Sequence, residues 1–571
     1  MSSRKSLGSV DTPSSPQVDK TSIASQPTTI ADAAGSSADE KANPATAATS
    51  DETIYPSGLK LGLVLTSVFV SMFLVSLVGS HYTHPFGTGA KISQDRLIIT
   101  TAIPKITDDF NSVTDIGWYG SAYLLTTCAL QLLFGKLYRS FKIKYILLCS
   151  ILLFEIGSAI CGAAPSSIVF IVGRAIAGVG AAGILTGVMV VIVHSVPLHK
   201  RPVYQGMFGA VFGLASVIGP LLGGAFTSKV TWRWCFFINL PLGGMAMAVI
   251  LFLLDIPDQD TKKLSTKGKL AQLDFPGTAL IIPGCVCLIL ALQWGGLSYP
   301  WNDGRIVALL VMGGVLLLGF ILVQIFLPKT ATIPPKVFRQ RSILAGVFSS
   351  ICTGSQQMIF IYYLPVWFQA IQGVSAVNSG IRLLPLVLSM VLASLLTGLL
   401  VKHIGYYTPF MIFGVCLMSV GAGLLNTLQI DTAEPKWVGY QILYGWGMGS
   451  IIQAPNLAAQ TVLPKPDVAI GASLMFFSQV LGGAVFVSVG QNILNNQLAQ
   501  RLLTIPGFSP DMIQNTGAIS LTHLPGSIRT TVLIAYNESL RHVFQVGLIL
   551  VCLTMLGAMA MEWRSVKKDK S

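Results

Sequence analysis

Charge is what this chain has least of: 11% of its 571 residues are Asp, Glu, Lys or Arg, while 52% are apolar, and the mean hydropathy is +0.67. An ordinary soluble domain carries about a quarter charged residues, so a body embedded in lipid is expected. No Gly-x-x-x-x-Gly-Lys-Ser/Thr sequence occurs, which leaves no phosphate cradle for ATP. The nine cysteines (Cys128, Cys149, Cys161, Cys235, Cys285, Cys287, Cys352, Cys416 and Cys552) fall in apolar stretches with neither paired spacing nor a histidine cluster. Neither a disulfide framework nor a metal site is indicated, and no cofactor is expected. The net charge of +13 comes from short basic clusters flanking apolar runs, so it does not point to a nucleic-acid partner. Residues 1–54 lack an apolar run able to act as a signal peptide and are rich in Ser, Thr, Ala, Pro and Asp. They read as a disordered cytosolic tail.

What is there is a succession of apolar segments of the length that about 30 Å of hydrocarbon requires. Spans are expected to start near Leu61, Gly117, Ile143, Ile168, Val203, Cys235, Phe275, Ile306, Ile343, Ser379, Pro409, Trp437, Ile470 and Val543, fourteen in all. Connections after even-numbered spans hold sixteen Lys and Arg, and short connections after odd-numbered spans hold five. The positive-inside rule then puts the even connections and both termini in the cytosol. The long connection 495–541 faces outside and contains the chain's only Asn-x-Ser/Thr sequon, at Asn537, a candidate for glycosylation.

An internal echo suggests two related halves. Gly135-x-Leu137-x-Arg139 closes the second span and Gly398-x-Leu400-x-Lys402-x-x-Gly405 closes the tenth. Residues 55–255 are read as one six-helix half, 343–562 as the other, 256–342 as two inserted spans with their loops, and 563–571 as a cytosolic tail. Parallel halves of this kind put a substrate path on the axis between them.

Ionisable groups inside membrane helices cost about 2.5 to 3.5 kcal/mol on insertion scales and are functional candidates by default. Asp95, Glu155, Arg174 and Arg382 are the ones to weigh. Either carboxylate could titrate protons as the path changes sides, or sit in a fixed ion pair with an arginine. Trp118, Tyr119, Tyr123, Gln131, Gln356, Gln357, Gln453, Asn456 and Gln460 are polar or aromatic on otherwise apolar helices. They suit the lining of a cavity for an amphipathic organic molecule, or equally hydrogen bonds between helices. In the fifth span, Gly206, Ala215, Gly219, Pro220, Gly223 and Gly224 permit close packing and a bend.

Gly206-x8-Ala215-x3-Gly219-Pro220-x2-Gly223-Gly224 resembles the antiporter motif of the major facilitator superfamily, with Ala in place of one Gly. Gly173-Arg174-Ala175-Ile176-Ala177-Gly178-Val179-Gly180 is similar to its fourth-helix motif. Asp95-Arg96-Leu97-Ile98-Ile99-Thr100-Thr101-Ala102-Ile103-Pro104 resembles the first-helix motif of the fourteen-spanner drug:proton antiporters. Thr231-Trp232-Arg233-Trp234-Cys235-Phe236-Phe237 resembles the approach to helix six in the fungal branch that includes the HC-toxin and aflatoxin efflux carriers. The resemblance covers about 58–564. It implies an all-α membrane fold and proton-coupled export of a small organic compound by alternating access, without enzymatic chemistry. Asp95, Arg174 and Glu155 are then candidates for proton coupling, and the protein would act as a monomer in the plasma membrane.

Two departures stand out. The acid usual in the loop after helix two is replaced by Arg139, so gating through that acid does not carry over. Residues 78–94 interrupt the first helix: without them, Phe73-Leu74-Val75-Ser76-Leu77 would run straight into Asp95. These seventeen residues correspond to 51 nucleotides, a Val codon begins with GT and a Gln codon can end in AG; they read as a retained intron. Rival readings are a vacuolar or importing carrier of siderophores or basic amino acids on the same fold, and a non-transporting membrane sensor.

Overall fold

The computed structural model describes residues 58–78, 103–110, 112, 115–256, 268, 272–296, 299–502 and 526–567. Residues 1–54, Asp95, most of 78–94 and the last four residues lie outside them. Among the described residues there are fourteen helices of fifteen residues or more and no β-strand beyond two isolated bridges. In chain order they are α1 (Gly58–Val78), α2 (Ile116–Ser140), α3 (Ile143–Ala163), α4 (Ser167–Ser195), α5 (Arg201–Lys229), α6 (Asn239–Leu253), α7 (Phe275–Trp294) and α8 (Gly304–Phe326). There follow α9 (Arg341–Gln372), α10 (Leu384–Ile404), α11 (Thr408–Leu425), α12 (Glu434–Ile451, resumed at Ala454–Val462), α13 (Val468–Leu502) and α14 (Gly526–Ala560).

Eleven helical segments are long and apolar enough to cross a membrane. The other three, α2, α5 and α12, carry the glycines, glutamines and charges that the remainder of the fold uses.

Helix pairing obeys one rule in both halves. In the first, α2 and α3 pack on α4, and α1 packs on α5 and α6. In the second, α10 and α11 pack on α12, and α9 packs on α13 and α14. Adding eight to a helix number therefore maps one half onto the other, as the echo between the second and tenth spans implied. Two seams join the halves, α2 against α13 and α5 against α10, and these exchange under the same mapping. Each seam is closed by the echoed glycine. A Cβ at Gly135 would run into Ser473 and the Ala469 carbonyl of α13, and one at Gly398 into the Pro202 backbone of α5. A bare Cα lets the helix backbones touch.

The inserted pair is tied together where the Lys- and Arg-rich connections lie, here called the basic end. Asp274, 1% exposed, accepts hydrogen bonds from the Gly277 amide (2.8 Å), Gln324 Nε2 (2.6 Å), and the Thr332 amide and hydroxyl (3.0 and 2.9 Å). One carboxylate thus caps α7 and binds the end of α8 and the strap that follows. At the opposite end of the first half, the Trp232-Arg233 motif packs Trp232 edge-on to Phe110, Phe170 and Phe236. Arg233 there donates to the Gly162 and Ala164 carbonyls, and Trp232 to Asp109.

The connection read as 495–541 is shorter than expected. Helix α13 continues to Leu502 and α14 begins at Gly526, well before Val543. Polar residues hid both extensions from a hydropathy reading, yet they find partners: Arg541 pairs with Glu538 at 2.7 Å. Asn537, the sequon residue, is 3% exposed; it accepts from Trp367 Nε1 (2.7 Å) and donates to the Leu428 carbonyl (3.1 Å). Its amide nitrogen is in use inside the bundle, which corrects the expectation of a surface glycosylation site, since a glycan needs that nitrogen at the surface.

Candidate functional site

Arg174 is fully buried on α4. Its Nε donates to the Tyr119 carbonyl (2.7 Å) and its Nη1 to the carbonyl of Val78 (3.2 Å), the last residue of α1, while the guanidinium lies 4.4 Å over the Tyr123 ring. The Tyr123 hydroxyl donates to Val75, and the Tyr119 hydroxyl to Ser167, which donates to Asp115. Arg174, Tyr119 and Tyr123 therefore form one unit linking α1, α2 and α4, at the C-terminal end of α1. A guanidinium can be this deeply buried when its donors meet carbonyls and an aromatic face.

Glu155 lies apart from that unit. It is 4% exposed on α3 and faces Gly243 of α6, where any side chain would collide with its carboxylate. Neither oxygen has a partner among the described residues, so the fixed ion pair with an arginine is absent there. One turn along, Asn239 of α6 donates to Ser158 (3.1 Å).

The other cavity candidates divide. Trp118 packs edge-on to Trp294 of α7 at 6.1 Å. Arg382 stands after the short helix Ala376–Ile381, over the rings of Phe368 and Trp437, and donates to Gln372. Gln356 accepts from the Tyr444 hydroxyl and donates to the Met448 sulfur (3.4 Å), and Gln357 accepts from Gln479 of α13 (3.2 Å). Gln131 donates to Thr186 (2.7 Å) but its carbonyl oxygen has no partner. Gln453 and Asn456 each leave their carbonyl oxygen unpartnered, and Gln460 leaves both amide atoms. Sequence reasoning passed over two equivalents. Gln441, 0% exposed, has neither amide atom bonded, and Gln205 uses only its nitrogen, on the Met189 sulfur. Both were visible as lone amides on apolar helices. A buried polar atom left without a partner costs about 1–3 kcal/mol, which sets these amides apart from the others on the same helices.

Of the antiporter-motif residues, Gly206 abuts the Ser394 backbone of α10, Ala215, Gly219 and Gly223 are buried, and α5 runs unbroken through Pro220 and Gly224.

Charge pairs bridge the two halves at the basic end. Arg139, at the end of α2, is 3.0 Å from Asp467, just before α13, and Lys336 from the strap after α8 is 3.3 Å from the same carboxylate. Beside them Lys136 donates to the Thr330 and Ala331 carbonyls (3.0 and 2.7 Å). The acid absent from the α2–α3 loop is thus supplied by the other half.

The profile of the Major Facilitator Superfamily matches residues 86–487. An "MFS-type transporter" of Claviceps purpurea is 52% identical over 90% of this chain and 86% of its own length. The "Efflux pump aflT" of Aspergillus parasiticus is 48% identical over 90% and 98%, and the "Rubrofusarin-specific efflux pump aurT" of Gibberella zeae 47% identical over 90% and 92%. Among solved structures, the human organic anion transporter MFSD10 superposes with a TM-score of 0.54 at 12% identity, covering 87% of this chain and all of that one. A double Trp mutant of XylE does so at 0.54 and 13%, covering 88% and 96%. With a matched profile over most of its length, relatives near half identity and a two-half helical bundle of the same fold, the chain belongs to the major facilitator superfamily.

Proposed function

We propose that this protein is a secondary active exporter of a small organic compound, of the kind fungi make as secondary metabolites or toxins, working by alternating access. The observation that carries the reading is the set of side-chain amides with buried atoms left without partners among the described residues, from Gln131 and Gln205 to Gln453, Asn456 and Gln460. Such groups suit a neutral or weakly polar solute that both donates and accepts hydrogen bonds. The efflux pumps among the relatives support the direction of transport.

In this reading all fourteen long helices cross the membrane, the basic end and both termini face the cytosol, and the site is the plasma membrane of a monomer. Protons drive the cycle through Arg174 and Glu155, with Asp95 as a further candidate carboxylate. The importing rival would place further carboxylates along the path, and the amides there argue against it. The test is mass spectrometry of cells and medium from a strain lacking the gene, compared with its parent at equal growth. One metabolite series accumulating inside and falling outside is expected. Unchanged secretion with loss of uptake of a nutrient would overturn export.

A further inference from the structure

The two seams between the halves are equivalent by pseudo-symmetry but unlike in what covers them. The α2–α13 seam is roofed by the inserted pair. Ala129 and Leu132 of α2, Ile281 and Cys285 of α7, Phe320 of α8, and Leu474 and Met475 of α13 form one buried cluster, apart from the main core. Lys136 anchors the strap to α2, and Trp301 from the α7–α8 turn donates to Asn492 of α13 (3.3 Å). Among the described side chains, no large apolar residue of α2 or α13 is exposed.

The α5–α10 seam has no roof. Met207 (37%) and Leu214 (51%) on α5, and Leu388 (52%), Leu392 (54%) and Leu396 (43%) on α10, are exposed. These positions repeat at seven or four residues, so each helix shows one continuous stripe outward. Each stripe sits one residue, about 100° of helix, from the contact line: Gly206, Gly209 and Gly213 on α5, Val391, Ser394 and Gly398 on α10. On the other side of the α5 contact line stands Gln205, its carbonyl oxygen unpartnered, and Gly209 also approaches Ile452, next to the unpartnered Gln453.

From lipid inward, the order is therefore an apolar stripe, a line of glycines and then amides whose carbonyl oxygens lack a partner among the described residues. Along the contact line Gly206 and Gly398 meet the backbone of the facing helix, Gly209 and Gly213 meet the side chains of Ser394, Met390 and Val391, and Ser394 Oγ donates to the Gly206 carbonyl (3.1 Å). Gly206 lies five residues from the start of α5, so the line begins within about 10 Å of the basic end.

We infer that substrate dissolved in the leaflet at the basic end passes sideways into the path through the α5–α10 seam, and that the inserted α7–α8 pair seals the opposite one. This rests on the transporter reading above and adds the route: the substrate class is a membrane-partitioning amphipath with neutral hydrogen-bonding groups, collected from the bilayer.

The test uses the full chain in liposomes, with cysteine placed singly by Ser394→Cys or Thr397→Cys on the bare seam and Ser473→Cys on the roofed one. Labelling by a pyrene maleimide dissolved in the bilayer is followed by mass spectrometry of the peptide bearing that position, so native cysteines do not interfere. Because labelling scales with the time a seam stands open to lipid, labelling at 394 or 397 should exceed that at 473 by about tenfold. A sulfonated, water-confined maleimide should not reproduce that ratio. Equal rates at 394, 397 and 473, or labelling of 394 and 397 by the aqueous reagent alone, overturns the lateral route. The gene-deletion comparison separately decides export: unchanged secretion with fast labelling at 394 would retire the direction of transport and keep the seam.

Discussion

Replacing Asp467 with Asn should open the basic end. Its carboxylate is 4% exposed and holds Arg139 (30% exposed) at 3.0 Å and Lys336 (68% exposed) at 3.3 Å. The Lys336 pair is largely solvated and contributes at most about 1 kcal/mol. Removing one partner of a fully buried pair costs about 3–5 kcal/mol, and the exposure of Arg139 brings its share below that, to about 1–2 kcal/mol. The closed state should lose about 1–3 kcal/mol in all, a shift of roughly five- to 150-fold toward opening. Spin labels on Lys142 and His403, exposed residues of opposite halves at this end, report it as a longer distance population in pulsed electron resonance. The exchange Arg139→Asp with Asp467→Arg should restore closure in part, because Lys336 would then face a like charge, and adding Lys336→Glu should restore it further. An unchanged distance distribution in folded D467N, or no recovery in the triple exchange, would refute the assignment of these pairs as the clasp.

Gly398→Val should insert normally yet lose transport, since its Cβ meets the Pro202 backbone and overpacking of this kind costs about 1–3 kcal/mol; membrane abundance alongside efflux checks both halves of the statement. Asn537→Ala strands the Trp367 donor and the Leu428 acceptor and should cost about 2 kcal/mol, seen as a lower melting temperature in detergent. The parent should show no change in gel mobility after endoglycosidase. Glu155→Gln should make efflux insensitive to an imposed pH gradient without lowering folded yield, and retained sensitivity would remove Glu155 from the coupling path.

The all-helical membrane fold was legible because most apolar runs have the length of a bilayer and Lys and Arg crowd the turns between. The duplication was legible in two short motifs, since a glycine at a helix crossing tolerates no substitute. The start of α14 was not: Asn537, Glu538 and Arg541 look like loop residues until the Trp367 and Leu428 partners of Asn537 and the Arg541–Glu538 pair within the helix are known. Arg139 announced a departure in its own loop, but nothing near it in sequence named Asp467. The amides were individually visible, whereas the contrast between a roofed and a bare seam depends on where α7 and α8 lie, which no local pattern encodes.

The anchoring of Lys136 has a consequence for biosynthesis. Its acceptors at Thr330 and Ala331 lie 194 and 195 residues further along the chain. At about 5–20 residues per second, an ammonium group at the end of α2 waits roughly 10–40 seconds for the carbonyls that will satisfy it. Until the strap emerges, that ammonium group has only water at the basic end for a partner, and the contact that fastens the inserted pair to α2 is missing. The inserted pair thereby times the birth of the protein: truncations ending before residue 330 should be recognised as unfinished and degraded, while those reaching just past it should persist.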